Sequence, residues 1–339
     1  MSIFWNIYIK SIAIFVSILT IIIFIILLLS FFQDKNNKYS TMYGDESSSN
    51  IIAVYELNGL IIETSRELAN FIDPFIISPF NTNKNLENLK EISPKVIIFS
   101  INSPGGTVSA SKKIYDIIKN YKKDNNIKIL VHTNELLASG GYWVATAADE
   151  IYASYGSIIG SIGVKGPDWF FYDKPKKIST GIFGNSVETE NGIKLFSNTA
   201  GKSKDLFNPF RQPSKNEIKH LQNMVDTIYN DFIRIISKER KIETSTLIND
   251  IGAQIYTSKK AYDLHLIDDE LNLDALIKKT SKSMNLQDYK VVKITNPKNS
   301  LIRELFNNKF YKTNKNIYHE CLNLRSSMAV VLNYEATGC

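Results

Sequence analysis

Cysteine is nearly absent from this chain: among 339 residues there are two, Cys321 and Cys339, both near the C-terminal end. The body therefore needs no disulfide, offers no cysteine-based metal site, and suits an oxidising or a reducing compartment equally. Histidine is also scarce. There are four, His132, His220, His265 and His319, and none lies between 133 and 219. His132 sits within an apolar strand and reads as structural, and His220 falls on the polar side of a long helix. A Ser-His-Asp arrangement thus has no convincing histidine. The glycine-rich run GSIIGSIGVKG (156–166) lacks the G-x-x-x-x-G-K-[ST] phosphate loop, which argues against a nucleotide site. No repeat recurs at a period of 20–50 residues.

Charge is missing altogether from Ser11 to Phe32, SIAIFVSILTIIIFIILLLSFF, a run of 22 residues. As a helix rising about 1.5 Å per residue it spans a bilayer core of about 30 Å. A cleaved signal peptide has a shorter apolar region and a small-x-small site after it, whereas QDKNNKYS follows here, so the segment reads as an uncleaved anchor. Lys10 precedes it and Lys35 and Lys38 follow, so the positive-inside rule leaves its orientation open. The remainder, with 44% hydrophobic and 22% charged residues overall, has an ordinary globular composition. The net charge of +6 is concentrated late: between Asp274 and His319 there are ten Lys or Arg against three acids. No aromatic residues interleave with that charge in a stacking pattern. It reads as a solvated tail, and nucleic acid is not an expected partner.

What is present is an alternation of strand and helix signals. IIAVYEL (51–57), KVIIFSI (95–101) and KILVHT (128–133) are apolar runs of strand length, as expected of parallel strands covered on both faces. Between them, 85–92 and 107–121 carry helical spacing. A helix over 214–240 is opened by Pro213-Ser214, and shorter ones follow at 258–264 and 272–283. The pattern predicts an α/β domain built of βαβ units. The chain divides into a short N-terminal segment (1–10), the anchor (11–32), a polar tether (33–50), one domain (51–290) and a basic tail (291–339). Residues 154–205 are long and irregular, which in a compact domain points to function or disorder.

Two turns carry candidate chemistry. Asn102-Ser-Pro-Gly-Gly106 lies between a strand and a helix, where paired glycines free backbone amides to face a negative oxygen. Ser139, in ASGGYW (138–143), also lies between a strand and a helix. A serine there is by default a helix cap. Two glycines after it, and a second glycine-paired turn at a neighbouring strand end, point instead to a nucleophile with the Gly140 amide beside it. Its base would be a lysine whose pKa is lowered by burial. Lys202 and Lys204, in GKSKD (201–205), are both candidates on this ground.

At INSPGGTVSAS (101–111), LLASGGYWVATAADEIYA (136–153), GSIIGSIGV (156–164), GKSKDLFNPFR (201–211), PSKNEIKHLQNMVDTIYNDF (213–232) and AQIYTSKKAYDLHLID (253–268), the chain resembles the S49 family of signal peptide peptidases. These are membrane-anchored serine proteases with a Ser-Lys dyad. The resemblance implies a crotonase/Clp-like ββα spiral and no cofactor or metal. It makes Ser139 the nucleophile, Lys204 rather than Lys202 the general base, and Ser161 the hydroxyl that orients the lysine. The Gly106 and Gly140 amides become the oxyanion hole. It further implies remnant signal peptides as substrates, a homo-oligomer whose neighbouring subunits enclose the site, and a single-pass protein of the bacterial inner membrane with its catalytic domain outside the cytoplasm. Segment 169–192 is longer and more polar than the family leads one to expect. The rival functions are an acyl-CoA-handling crotonase-type enzyme and an inactive membrane scaffold on the same fold.

Overall fold

The computed structural model describes residues 2–31, 38–64, 76–171, 179–181, 184–186, 200 and 202–294. Cys321, Cys339, His319 and the basic tail beyond 294 lie outside the described residues, as does Gly201. Helix α1 (Ser2–Phe31) begins well before the apolar run, so residues 2–10, expected as a separate segment, continue the same helix. Within it, Ile7–Ile25, 19 residues of mean hydropathy 2.4 with no buried share, is a candidate membrane span.

Strands β1 (Tyr39–Gly44), β2 (Ile51–Asn58), β3 (Leu60–Ile61) and β4 (Ile76–Ile77) lead into helix α2 (Pro79–Leu89). Next come β5 (Val96–Asn102), α3 (Val108–Asn125), β6 (Lys128–Thr133), β7 (Leu136–Ala138) and α4 (Gly140–Ala145). After β8 (Glu150–Ala153) and β9 (Ile158–Gly160) stands a short hairpin of β10 (Ser179–Gly181) and β11 (Gly184–Ser186). The chain closes with α5 (Lys215–Arg240), β12 (Ile255–Thr257), α6 (Ser258–Asp263), β13 (Asp269–Glu270), α7 (Leu273–Ser283) and β14 (Lys290–Ile294).

A seven-stranded sheet in the order β1-β14-β2-β5-β6-β8-β13 forms the centre; every pairing is parallel except β1 with β14. The apolar runs of β2 and β5 follow from burial on both faces. Ala53, Tyr55, Ile97, Phe99 and Ile101 point into the larger core, shared with α3, α4 and α5. Ile52, Val54, Val96 and Ile98 point to the other side, against Leu276 and Ile277 of α7. A second sheet, β12-β9-β7, carries the end of β7 against β9. Trp143 of α4 stacks on Phe232 of α5 with ring centroids 4.4 Å apart and planes 9° from parallel, which packs the long helix onto the short one.

Helix starts follow their caps. Thr107 accepts from the Ala110 amide at the start of α3, and Ser214 with Glu217 forms a capping box at the start of α5. Two boundaries differ from expectation. Tyr39–Gly44, read as part of the tether, is an edge strand pairing with Lys290–Ile294, so the sheet runs from 39 to 294 rather than from 51 to 290. Helix α2 starts at Pro79, six residues before the expected 85, because Ser78 caps it and accepts from the Asn81 N–H, with Pro79 at the first helical position; its buried Asn81 and Asn85 bond the Tyr55 hydroxyl, which donates to Asn81 O at 3.3 Å and accepts from Asn85 Nδ2 at 3.0 Å.

Candidate active site

The end of β7 and the start of α4 place Ser139 in an unusual backbone state, with φ 52° and ψ −123°. That pair belongs to the first central position of a type II′ turn, where glycine is the usual residue. The serine does not cap its helix: its hydroxyl makes no cap bond and has no hydrogen-bond partner among the described residues. Its backbone is fixed on both sides instead. The N–H donates to Gly160 O at 2.9 Å, and the carbonyl accepts from Trp143 N at 3.0 Å. The side chain is half-buried.

The first glycine-paired turn arrives at the same place. Ser103 donates its N–H to Leu136 O at 2.7 Å and accepts from Ala138 N at 3.0 Å, so the chain after β5 runs beside β7. On the other flank, Ile61 of β3 donates to Gly105 O at 2.9 Å and accepts from Thr107 N at 2.8 Å. These two bonds bracket Gly106 and leave its own N–H facing away from β3. A Cβ on Gly106 would stand 1.8 Å from Ile61 O, so only glycine fits. A Cβ on Gly140 would lie 3.2 Å from Gly106 N, and one on Gly105 would lie 2.8 Å from both Gly140 N and Ser139 Cβ. Gly105, Gly106, Ser139 and Gly140 are thus one cluster. Among the described residues, neither the Gly106 nor the Gly140 amide has a backbone acceptor. Two free donors beside an unpartnered hydroxyl can hold a negative oxygen that develops on an attacked carbonyl.

Ser161 joins this cluster. It follows Gly160, the residue that receives the Ser139 N–H, and Ala138 and Gly160 are register partners in the parallel β7–β9 pair. Ser139 and Ser161 therefore leave two neighbouring strand ends at the same level. Both have positive φ, 52° and 51°, and Ser161 is pinned by its N–H to Gln254 O at 2.7 Å.

Lys204 is not brought into hydrogen-bonding contact with Ser139. It is exposed on the turn 202–207 and, like Lys202, has no ion pair among the described residues. What fixes that turn is Arg211. Its guanidinium meets both Asp205 oxygens at 2.6 and 2.8 Å and both Glu217 oxygens at 2.8 and 2.9 Å. The Arg211 bonds hold both carboxyls below the usual range, and Glu217 is lowered further by the Ser214 N–H. Trp169 lies under Arg211 at 5.0 Å and donates Nε1–H to Asn208 O at 3.1 Å. In the sequence Arg211 carries no mark of this role, and Glu217 is marked only by the S-x-x-E box at Ser214.

His132 is fully buried, with Nε2 3.0 Å from Leu271 O, and burial lowers its pKa. It is a core residue, as expected. His220 is exposed on α5. Among the described residues no cluster of His, Cys, Asp or Glu could hold a metal ion.

Residues 121–287 match the profile of peptidase family S49, and residues 82–150 match that of Clp protease. Over residues 121–287 the chain is similar to peptidase family S49. It is similar to a protein of Methanocaldococcus jannaschii assigned as a protease, with 30% identity over 203 residues covering 60% of each chain. It is also similar to an Enterococcus faecium protein assigned as the signal peptide peptidase SppA, with 25% identity over 269 residues covering 78% of this chain and 73% of the relative. Among solved structures, the 1510-N membrane-bound stomatin-specific protease in complex with a substrate peptide aligns over 76% of this chain and 96% of its own. Its TM-score is 0.44 and its identity 15%. The S49 and Clp profiles overlap across β6, β7 and α4, the segment that carries Ser139. The mixed α/β sheet and the match to the Clp protease profile make this a Clp-type fold.

Proposed function

We propose that this chain is a membrane-anchored serine endopeptidase of the S49 type that cleaves remnant signal peptides and other membrane-associated peptides. One observation carries the reading: an unpartnered Ser139 hydroxyl, in a glycine-type backbone conformation, beside the free amides of Gly106 and Gly140.

Ser139 Oγ attacks the scissile carbonyl while a neutral Lys204 amine takes the hydroxyl proton. The Gly106 and Gly140 amides hold the tetrahedral oxygen, and removal of one such donor typically costs about 3–4 kcal/mol. Collapse of the intermediate breaks the C–N bond, and the lysine returns its proton to the departing amine. Water, deprotonated by the same lysine, then releases the acyl group from Ser139. Ser161 orients the amine. The contact between Lys204 and Ser139 is made as peptide binds and neighbouring copies enclose the site. Catalytic hydrogen bonds of this kind are often long in the substrate-free state.

The apolar stretch Ile7–Ile25 anchors the chain in the inner membrane, with the domain on its outer side, and concentrates it near peptides that partition into lipid. An acyl-CoA-handling enzyme would use the same amide pair but leaves the serine without a task, and a scaffold leaves the whole cluster without one. Cleavage of a fluorogenic apolar peptide by the full chain in detergent, alongside Ser139→Ala and a panel of acyl-CoA thioesters, tests the proposal. Peptide turnover lost in the variant supports it; turnover of thioesters alone, or equal peptide turnover in both proteins, overturns it.

A further inference from the structure

Asn102, the last residue of β5, sits where three segments of the site meet. Its Oδ1 accepts from Thr133 Oγ1 at 3.1 Å, Asn134 N at 3.1 Å and Glu135 N at 3.0 Å. Its Nδ2 donates to Asn58 Oδ1 at 3.2 Å, and its backbone carbonyl accepts from Gly59 N at 2.9 Å. The amide orientation is fixed by chemistry, because two of the three donors are backbone N–H groups that face only an acceptor.

These bonds join the chain entering each half of the site. Gly106 lies four positions after Asn102, and Ser139 lies four positions after Glu135. Along these two equal arms, Ser103 exchanges the 2.7 and 3.0 Å bonds described above with Leu136 and Ala138 of β7. The third segment, reached through Asn58 and Gly59, continues into Ile61, whose backbone brackets Gly106. Ser103 Oγ adds a bond to Gly59 O at 2.7 Å. A turn residue need satisfy only its own loop. Asn102 instead satisfies donors from a different strand–loop unit, the one that delivers the serine.

We infer that Asn102 is a positioning residue that sets the separation between the Gly106 amide and Ser139. This rests on the reading of Ser139 and the two glycine amides as the reacting cluster. A carbonyl held between nucleophile and oxyanion donors tolerates little error: a misplacement of about 1 Å costs about 100-fold in rate. Geometry lost at Asn102 therefore acts on kcat, while the surfaces that bind peptide stay in place.

The test compares the full chain with Asn102→Leu, which keeps the size and removes the acceptor, and Asn102→Asp, which keeps the acceptor. The readouts are kcat and KM for peptide cleavage, and amide hydrogen exchange over 103–107 and 135–141. Asn102→Leu is expected to lower kcat about 100-fold with KM little changed, and to speed exchange in both segments together. Asn102→Asp is expected to restore most of kcat and the protection of both. Wild-type kcat in Asn102→Leu, a change in KM alone, or an Asp variant as slow as the Leu variant overturns the inference. Should Asn102→Leu fail to fold, Thr133→Val removes one donor in its place. About fivefold lower kcat there supports the inference, and an unchanged kcat overturns it. Should the wild-type chain cleave no peptide, the functional reading falls and exchange alone decides. Joint loss of protection in the two segments upholds the positioning role, and independent behaviour refutes it.

Discussion

Ser139 and Gly160 are joined by a 2.9 Å backbone hydrogen bond, which sets the serine one residue beyond the β7–β9 pairing and directly beside Ser161. Strand pairing thus carries Ser139 to its place and holds it in a conformation that its side chain disfavours. A serine kept at φ 52° without capping its helix is a stability cost, as expected of the proposed catalytic role.

That cost is measurable. Ser139→Gly is expected to be about 1 kcal/mol more stable than Ser139→Ala, because only glycine adopts this backbone state without steric penalty. Both variants lose peptide cleavage by at least about 1000-fold. Urea denaturation of the two variants side by side checks the first statement; equal midpoints would show that the backbone is unstrained.

Gly140 gives a second test. A Cβ placed there meets Ser111 Oγ at 2.2 Å, and that hydroxyl donates to Thr107 O at 2.8 Å. Gly140→Ala should destabilise the protein by about 1–3 kcal/mol. Ser111→Ala in the same chain should recover part of that loss. A double-mutant cycle should therefore show a coupling of about 1 kcal/mol. Strict additivity would place the two residues farther apart than described.

Much of this arrangement is legible in the sequence because local chemistry and tertiary structure agree. β5 and β6 read as unbroken apolar runs since both faces are covered, and Ser139, Gly106 and Gly140 stand at strand-to-helix turns that glycine pairs announce. The rest depends on partners remote in sequence. Tyr39–Gly44 is polar and mostly exposed, and only its pairing with Lys290–Ile294 makes it a strand. Arg211 is one of 40 basic residues, and no spacing rule singles out its double bridge to Asp205 and Glu217. Asn102 reads as part of a turn. Its contacts with 133–135 come from the adjacency of β5 and β6, which composition does not encode.

The Arg211 cluster predicts an acid dependence. Asp205 and Glu217 have carboxyls held below their ordinary values, chiefly by the guanidinium. Stability from these groups is fully present above the unfolded-state carboxylate pKa of about 4, and is lost as pH falls through the lower folded-state values. Arg211→Gln removes the main cause and should flatten part of that loss; the Ser214 N–H preserves the remainder at Glu217. Thermal melts of both proteins from about pH 6 down to pH 2 follow this. Identical slopes would mean that the bridge is not formed in solution.

The most direct test of the central claim is covalent labelling by a fluorophosphonate, with the modified residue mapped by mass spectrometry in the wild-type chain and in Lys204→Ala. The account predicts modification at Ser139 in the wild type and a large loss of labelling rate in the variant, with the melting temperature preserved. Labelling at another serine, or equal labelling of Ser139 with and without Lys204, would contradict it.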